Sequence, residues 1–248
     1  DTAKGKSTSG ARELDNGVFY TRMGQRMIHI LSTQTRAGEL YDIDMRLRPS
    51  GASGMIATSL AGFEKYQQEN AWTWEHQALV RARKVSGSHT VQAKFEQIRK
   101  QILTITREKP ILSEEVQAMR QKMRDNLGSK NSTDVRFQLK QDAGGIVDIE
   151  FMVQYGVLAW SHQYPELMQV TDNMRLLDAF VHCGLMSSQD CQTLQETYLA
   201  YRVETHKRAL QKQDLLMTQD ELGQLGFDIR INNVMSLWSS WLAIDADR

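Results

Sequence analysis

The residues that interrupt helices and those that form covalent cross-links are scarce in this chain. Its 248 residues include three prolines, Pro49, Pro110 and Pro165, and two cysteines, Cys183 and Cys191. Because proline ends helices and the abundant Leu, Ala, Gln and Met favour them, the composition predicts a mainly helical protein. The cysteines are eight positions apart and form no C-x-x-C motif, so we predict buried thiols in a reducing cytosol and neither a disulfide nor a metal site.

Long apolar runs and an excess of charge of either sign are also absent. Lys and Arg together number 30, as do Asp and Glu, so no overall field draws the chain to nucleic acid, and any anion site must be local. No apolar stretch is long enough to span a membrane and no signal peptide opens the chain, which predicts no membrane partner and a cytoplasmic location. With 41% hydrophobic and 24% charged residues, the chain is typical of a folded globular protein.

Several common catalytic signatures are missing as well. The six histidines are scattered without zinc-ligand spacing, and there is no G-x-S-x-G, P-loop or G-x-G-x-x-G motif. The chain begins at Asp1, and its opening "DTAKGKSTSGARELDNG" has the polar, Gly-, Ser- and Thr-rich composition of a loop. We therefore expect the chain to be cut from a longer protein.

Hydrophobic periodicity predicts a mixed first part of the chain. Apolar side chains at helical spacing predict a helix over 17–33, and alternation predicts a strand over 40–48. A short strand and three helices are predicted to follow, with Ser59 and Asn70 as candidate N-caps of the first two helices.

After Pro110 the pattern becomes almost entirely helical. The stretch "ILSEEVQAMRQKMRDNL" predicts a long amphipathic helix with Ser113 as its cap, and "VRFQLKQD" predicts a short strand or hairpin arm. Four more helical stretches complete the chain. We therefore predict a mainly α protein with a small α/β part over 1–106, followed by a helical bundle over 107–248.

The predicted strand "LYDIDMRLRPSG" carries two acids followed by two bases. Asp42, Asp44, Arg46 and Arg48 alternate with apolar residues, and every second side chain of a strand shares one face. Mg²⁺ prefers carboxylate oxygens and arginine suits phosphate oxygens, so this face fits a metal–polyphosphate ligand. The alternative is a half-exposed strand with ion pairs to its neighbours. Spacing alone leaves both interpretations open.

Two glycines stand immediately before a predicted helix in "QDAGGIVDIEF". Gly144 and Gly145 suit an anion at a helix N-terminus, with Lys140 just upstream as a mobile cation. The alternative is a turn and a tight helix start. Asp148 and Glu150 lie in the first turns, where the helix dipole favours acids without any further function. Two positions apart, they diverge by about 200° and do not chelate one ion together.

A third motif, "AWTWEHQALVRAR", combines two tryptophans with two arginines. Tryptophans at helical spacing most often pack in a core, and Arg81 and Arg83 lie near a helix C-terminus, where cations are stabilised anyway. A functional use of the arginines is the competing interpretation. The later stretch "RVETHKRALQK" predicts a solvated helix face formed by Arg202, Lys207, Arg208 and Lys212.

Taken together, "LYDIDMRLRPSGASGM", "AWTWEHQALVRAR" and "LKQDAGGIVDIEFMVQY" resemble the glutamine synthetase adenylyltransferase family. The motifs occur in the family's order, and the resemblance spans about 17–241. The family has two homologous halves, each a nucleotidyltransferase domain followed by a helical bundle. The wording "WTWEHQALVRAR" is similar to the C-terminal half, which transfers AMP from ATP to a tyrosine of glutamine synthetase.

The resemblance implies an enzyme with Mg²⁺ as cofactor and ATP as substrate. Members of the superfamily hold two Mg²⁺ with three carboxylates; Asp44 resembles the third of these metal ligands, and Arg46 and Arg48 resemble phosphate or substrate contacts. Nucleotide or interdomain contacts are implied for Arg81, Arg83, Lys140, Gly144, Gly145, Asp148 and Glu150. The implied partners are glutamine synthetase, the PII signal protein, ATP, and glutamine as an effector.

The chain departs from the family at the first two carboxylates. These come from a G-S-…-D-x-D strand, and nothing in this sequence matches it. With one carboxylate of three, the chain is expected to be an incomplete nucleotidyltransferase domain with its bundle, and to be inactive by itself. Two other hypotheses are a non-catalytic regulatory module whose bundle binds PII or glutamine, and a plain helical scaffold.

Overall fold

The fold is mainly helical, as predicted. The computed structural model describes residues 7–9, 12–38, 41, 43–129 and 136–243. This part of the chain contains ten α-helices and a two-stranded antiparallel sheet, so the mainly α class with a small β component is confirmed. The helices are α1 (Asn16–Ser32), α2 (Leu60–Glu69), α3 (Thr73–Arg81), α4 (His89–Leu103), α5 (Lys109–Leu127), α6 (Ile146–Trp160), α7 (Asn173–His182), α8 (Ser188–Leu210), α9 (Gln219–Leu225) and α10 (Phe227–Trp241). The strands are β1 (Arg136–Gln138) and β2 (Leu216–Thr218), and short 3-10 helices lie at Gly51–Ser53 and Pro165–Met168.

The chain divides into two compact units. The first contains Asp1–His76 and Arg83–Ile102, and the second contains Gln77–Ala82 and Leu103–Arg248. The final residues of α3 therefore belong with the later helices. The domain boundary near residue 106 stays a prediction.

The first unit contains the predicted early helices. α1 matches the prediction for 17–33, and the Ser59 side chain caps α2 by accepting from the backbone of Gly62. The prediction for Asn70 is wrong, because Asn70 ends α2 and α3 begins at Thr73. The start of α3 is held by Glu75, whose carboxylate accepts from the backbone N–H of Trp72 at 3.0 Å. An N-cap at Asn70 is therefore not needed.

The predicted strand does not form at residues 43–48. The backbone N–H of Arg46 donates to the carboxylate of Asp44 at 2.9 Å, and that of Arg48 donates to the Arg46 carbonyl at 3.1 Å. These local bonds turn the backbone. A strand requires a neighbour that completes its ladder, and no described residue pairs with this segment. Asp42 lies outside the described residues, so its part in the predicted acidic face stays untested.

The second unit is a bundle around α6. Every residue of α6 except Glu150 and Gln154 is buried, and α5, α7, α8 and α10 pack on it. The indole of Trp241 donates to the Met152 carbonyl at 2.9 Å, and its ring lies 5.0 Å from that of Trp160. A helix that is apolar almost all round is a core helix. The predicted strand in "VRFQLKQD" is confirmed as β1, which pairs with β2; neither β2 nor α9 is predicted by the sequence.

Two polar predictions in this unit are wrong. Ser113 does not cap α5: the helix begins at Lys109 with Pro110 in its first turn, a position that suits proline, and the buried Ser113 hydroxyl donates to the Leu242 carbonyl at 2.7 Å. Arg208 is buried rather than solvated, because it pairs with two acids, described below. Arg202, Lys207 and Lys212 are exposed, as predicted.

Arg208 is held by the acids of two elements. Its Nε lies 2.7 Å from Glu204 on α8, and its Nη2 lies 2.6 Å from Glu221 on α9. The two carboxylates balance the charge of the buried guanidinium, which explains why this basic residue is buried and not solvent-exposed.

Both cysteines are free thiols in the structure. The predicted burial is confirmed for Cys191, whereas Cys183 is only half-buried. Burial and, to a lesser extent, the neighbouring Glu166 raise the pKa of Cys183 to about 11. Among the described residues, no helix combines the length and apolarity needed to cross a membrane.

Candidate functional site

The loop after α1 contains the predicted metal ligand and phosphate contacts. Arg46 donates to both oxygens of Asp44, from Nε to Oδ1 at 3.0 Å and from Nη2 to Oδ2 at 2.6 Å. These side-chain bonds, with the backbone N–H of Arg46, lower the pKa of Asp44 to about 2. The pair is exposed, with 53% of the Asp44 side chain accessible. Asp44, the predicted metal ligand, is thus paired with Arg46, one of the predicted phosphate contacts.

Arg48 organises the loop that follows. Its guanidinium donates to the carbonyl oxygens of Met45, Ala52 (3.0 Å) and Gly54 (3.2 Å). Three backbone carbonyls around one guanidinium tie the 45–54 segment together. This gives Arg48 a structural role beside the implied phosphate contact.

The described residues do not make up a magnesium site. Mg²⁺ requires a near-octahedral set of oxygen ligands. No group of three or more His, Cys, Asp or Glu side chains within the described ranges is placed to hold a metal ion, and both oxygens of Asp44 are engaged by Arg46. Asp44 as a metal ligand stays a prediction.

Two motifs that are far apart in the sequence meet in the second unit. Arg81 donates to Glu150 at 3.0 Å, and Gln77 donates to Gln154 at 3.1 Å. Residues four apart share a helix face, so the two bonds align one face of α3 with one face of α6. The Tyr198 hydroxyl of α8 donates to the same Glu150 oxygen at 3.1 Å. Glu150 and Gln154, the two positions of α6 that are not fully buried, therefore both serve this contact.

A buried ion pair holds the turn before α6. Asp148 accepts from Arg120 Nε at 2.5 Å, from Arg124 Nη2 at 3.4 Å, and from the backbone N–H of Gly144 at 2.7 Å. Arg120 also donates to the Gln141 carbonyl at 2.6 Å. Burial lowers the pKa of Arg120, and the charge of Asp148 acts in the opposite direction. The pair fixes the turn against α5. Asp148 contacts the arginines of α5, whereas Glu150 contacts Arg81 and Tyr198.

The backbone N–H groups at the start of α6 have internal partners. Those of residues 144–147 donate to the Asp148 carboxylate or to carbonyl oxygens of residues 139–142. These are the groups with which a helix N-terminus binds an anion. The structure therefore supports the alternative of a turn with a tight helix start, and an anion-binding role for Gly144 and Gly145 stays an untested prediction.

Close packing explains why residue 144 is glycine. Gly144 has φ +82°, in the left-handed region, and a Cβ there would lie 2.7 Å from the Ile231 carbonyl oxygen. A larger residue would separate the turn from α10.

Two of the predicted contacts do not join this network. Lys140 is exposed on the turn, and Arg83 is exposed beyond the end of α3, within the first unit. Neither side chain has a hydrogen bond or ion pair to another residue in the ranges given above. The structure thus brings Arg81, Asp148 and Glu150 into the second unit's polar contacts and leaves Lys140 and Arg83 outside them.

Sequence reasoning missed several residues of the site. Gln77 and Gln154 lie inside two of the quoted motifs, but nothing in the sequence distinguishes them from their neighbours, and Tyr198 lies in no quoted motif. Arg120 does carry a signal, because it follows the buried Leu112 and Val116 at steps of four and so falls on the buried face of α5. A charged residue on such a face indicates a buried pair.

Comparison with known proteins identifies the family of the chain. Residues 1–98 match the family profile described as glutamate-ammonia ligase adenylyltransferase, and residues 114–231 match that of GlnD PII-uridylyltransferase. The bifunctional glutamine synthetase adenylyltransferase/adenylyl-removing enzyme of Pseudomonas syringae pv. tomato is 50% identical over 242 residues, which cover 94% of this chain and 24% of the relative. The chain belongs to the glutamine synthetase adenylyltransferase family. The resemblance read from the three motifs is confirmed.

Other relatives of the same name agree with this assignment. The Pseudomonas putida enzyme is 54% identical over 216 residues, covering 83% of this chain and 22% of the relative. The Nitrosococcus oceani enzyme is 45% identical over 235 residues, covering 95% of this chain and 24% of the relative. The chain therefore spans about a quarter of the length of these family members.

Proposed function

We propose that this chain is part of a cytoplasmic enzyme that transfers AMP from ATP to a tyrosine of glutamine synthetase. The relatives' shared name supports the reaction class. The observation that carries the proposal is the joining of two family motifs by the Arg81–Glu150 and Gln77–Gln154 bonds. Two segments about seventy positions apart are held as one arrangement, which is expected if they act together in the enzyme.

The proposed reaction is a displacement at the α-phosphorus of ATP. The tyrosine hydroxyl releases its proton to solvent, and its oxygen forms a bond to phosphorus as the bond to pyrophosphate breaks. The protein's main task is to align the triphosphate and neutralise its charge. In this proposal Arg46 donates to phosphate oxygens, which requires it to release the carboxylate of Asp44. Arg81 and Glu150 act through each other as positioning residues for the two motifs.

The test is Asp44→Asn in the full-length enzyme. We expect loss of AMP transfer with an unchanged far-UV circular dichroism spectrum, because the substitution removes charge from an exposed loop. Asp125→Asn, at an exposed acid on α5, is the matched control and should retain activity. Near-normal transfer by the Asp44 variant would remove the catalytic role of Asp44.

A regulatory function is the second candidate, supported by a separate observation. Residues 114–231 match the profile of GlnD PII-uridylyltransferase, a name that connects this helical region with PII. We propose that the bundle binds PII, or glutamine as an effector, without catalytic work of its own. Titration of the chain with PII in each nucleotide state, and with glutamine, tests this by calorimetry. No heat in any of these titrations would count against the module.

A further inference from the structure

The hydroxyl of Tyr198 joins the contact between α3 and α6 from a third helix, α8. It donates to Glu150 Oε1 at 3.1 Å, and Arg81 Nη1 donates to the same oxygen at 3.0 Å. Arg81 lies in the region matched by the adenylyltransferase profile, whereas Glu150 and Tyr198 lie in the region matched by the second profile. One carboxylate oxygen therefore holds side chains from both family regions, and all three residues belong to the second unit.

The exposure of these three residues rises from Tyr198 to Arg81. Tyr198 is 8% exposed, the Glu150 side chain 19% and the Arg81 side chain 43%. Within the described part of the chain, Nη1 is the Arg81 nitrogen that has a partner, and a guanidinium carries further donors on Nε and Nη2. An acceptor from outside the chain can therefore bind Arg81 while its bond to Glu150 is kept.

The Tyr198 hydroxyl keeps the proton that it donates to Glu150. Burial and, after it, the charge of Glu150 raise the pKa of Tyr198, while Arg81 and Arg202 act in the opposite direction. A hydrogen bond to a charged acceptor is stronger than one between neutral groups. Because two donors converge on one oxygen, the direction of the Glu150 carboxylate is fixed from the buried side by Tyr198, and Arg81 is held by a carboxylate that is itself held.

We propose that Tyr198 is a positioning residue for the AMP transfer proposed above, on which this inference rests. Tyr198 acts through Glu150 and sets the direction in which Arg81 presents its remaining donors to the substrate. The alternative is that Tyr198 stabilises the bundle and has no influence on the reaction. The two differ in one respect: a positioning effect on the rate requires Arg81, whereas an effect on stability alone does not.

The experiment measures AMP transfer to glutamine synthetase by the full-length enzyme with Tyr198→Phe, Arg81→Gln, or both. We expect Tyr198→Phe to lower kcat about tenfold, the rate equivalent of one hydrogen bond to a charged group. In the Arg81→Gln background the same substitution should cause no further loss, because the group that Tyr198 positions is gone. Tyr201→Phe is the matched control on the same helix: the Tyr201 hydroxyl is buried without a hydrogen-bond partner among the described residues, so kcat should not change.

Circular dichroism of the same variants checks that each is folded. Glu150→Gln supplies a second route, because it weakens both bonds at the shared oxygen and should lower kcat at least as much as Tyr198→Phe. Normal kcat in both the Tyr198 and the Glu150 variants, or an equal loss from Tyr198→Phe with and without Arg81, would overturn the positioning role and leave the proposed function intact. Absence of transfer by the unchanged enzyme would refute the proposed function and this role with it.

Discussion

At the scale of single residues, buried and exposed charges in this chain have different consequences. Arg120 and Asp148 are each about 1% exposed and depend on one another, whereas Asp44 and Arg46 pair in contact with solvent. A buried charge that loses its partner is strongly unfavourable, and an exposed pair contributes little.

We predict that breaking the buried pair destabilises the chain. Arg120→Met or Asp148→Asn should each lower the free energy of unfolding by about 3–5 kcal/mol, because each leaves a buried group unpaired. Arg175→Met, in an exposed pair with Asp172, should cost about 0–1 kcal/mol. Urea denaturation followed by circular dichroism measures all three. A buried-pair variant that costs no more than the exposed control would contradict the prediction.

A second prediction concerns the titration of Asp44. Its pKa in the folded chain is about 2, against an ordinary value of 3.8. Because the pKa is depressed, the pairing with Arg46 is complete above about pH 4 and is lost as the pH falls through 2. Carbon-13 resonance of the carboxyl group measures this directly. Arg46→Gln should raise the pKa towards 3.8, whereas Arg83→Gln should leave it unchanged; an unshifted pKa in Arg46→Gln would refute the assignment of cause.

At the scale of elements, α6 dominates the second unit. It is buried almost all round, and its start is held by a turn that packs tightly against α10. The stability of the second unit therefore depends on the backbone conformation of the turn at Gly144 as well as on the apolar area that α6 buries.

Substitutions of three glycines by alanine test the turn. Gly144→Ala should lower the free energy of unfolding by about 2–5 kcal/mol, since it combines backbone strain with a close contact to Ile231. Gly184→Ala has a similar φ, +71°, but nothing within 4 Å, so it should cost about 1–2 kcal/mol from strain alone. Gly223→Ala, in the open interior of α9, should stabilise by about 0.5–1 kcal/mol. Equal losses at 144 and 184, measured by urea denaturation, would show that close packing at the turn is unimportant.

At the scale of the whole molecule, the chain holds both matched family regions but about a quarter of its relatives' length. The match to the first profile ends at 98 and the match to the second begins at 114; the domain boundary near 106 stays a prediction. The second unit of the chain is a helical bundle. Of the three metal-binding carboxylates that the family resemblance implies, the sequence matches Asp44 alone.

We predict that a polypeptide of these 248 residues does not transfer AMP to glutamine synthetase by itself. The displacement requires charge neutralisation at both attacking and leaving oxygens, and one carboxylate does not supply it. Labelled ATP, magnesium and unmodified glutamine synthetase form the assay, with the full-length enzyme as the positive control and circular dichroism as a check of folding. Robust labelling of the synthetase by the polypeptide would refute the prediction.

The sequence by itself determined the helical class, most helix positions and the family. Periodicity predicts α1, α4 and a short strand at 136–138, because the spacing of the apolar residues shows which face of each element is apolar. Three motifs in order were enough to identify the relatives. The sequence also placed Arg81 and Glu150 in two of the motifs that carry the family resemblance, although it did not pair them.

The tertiary structure decided where the charges go. Alternation at 43–48 predicted a strand, but a strand exists only with a neighbouring strand, and none forms there among the described residues. The sequence predicted that Arg208 faces solvent and that Ser113 caps a helix. In the structure, Arg208 pairs with Glu221 of α9, and Ser113 donates to the Leu242 carbonyl at the end of α10. Folding likewise joins Arg120 to Asp148, which also accepts a hydrogen bond from the backbone N–H of Gly144. Local sequence records the polarity of a position, whereas the partner that stabilises a buried charge comes from residues distant in the chain, and only folding brings the two together.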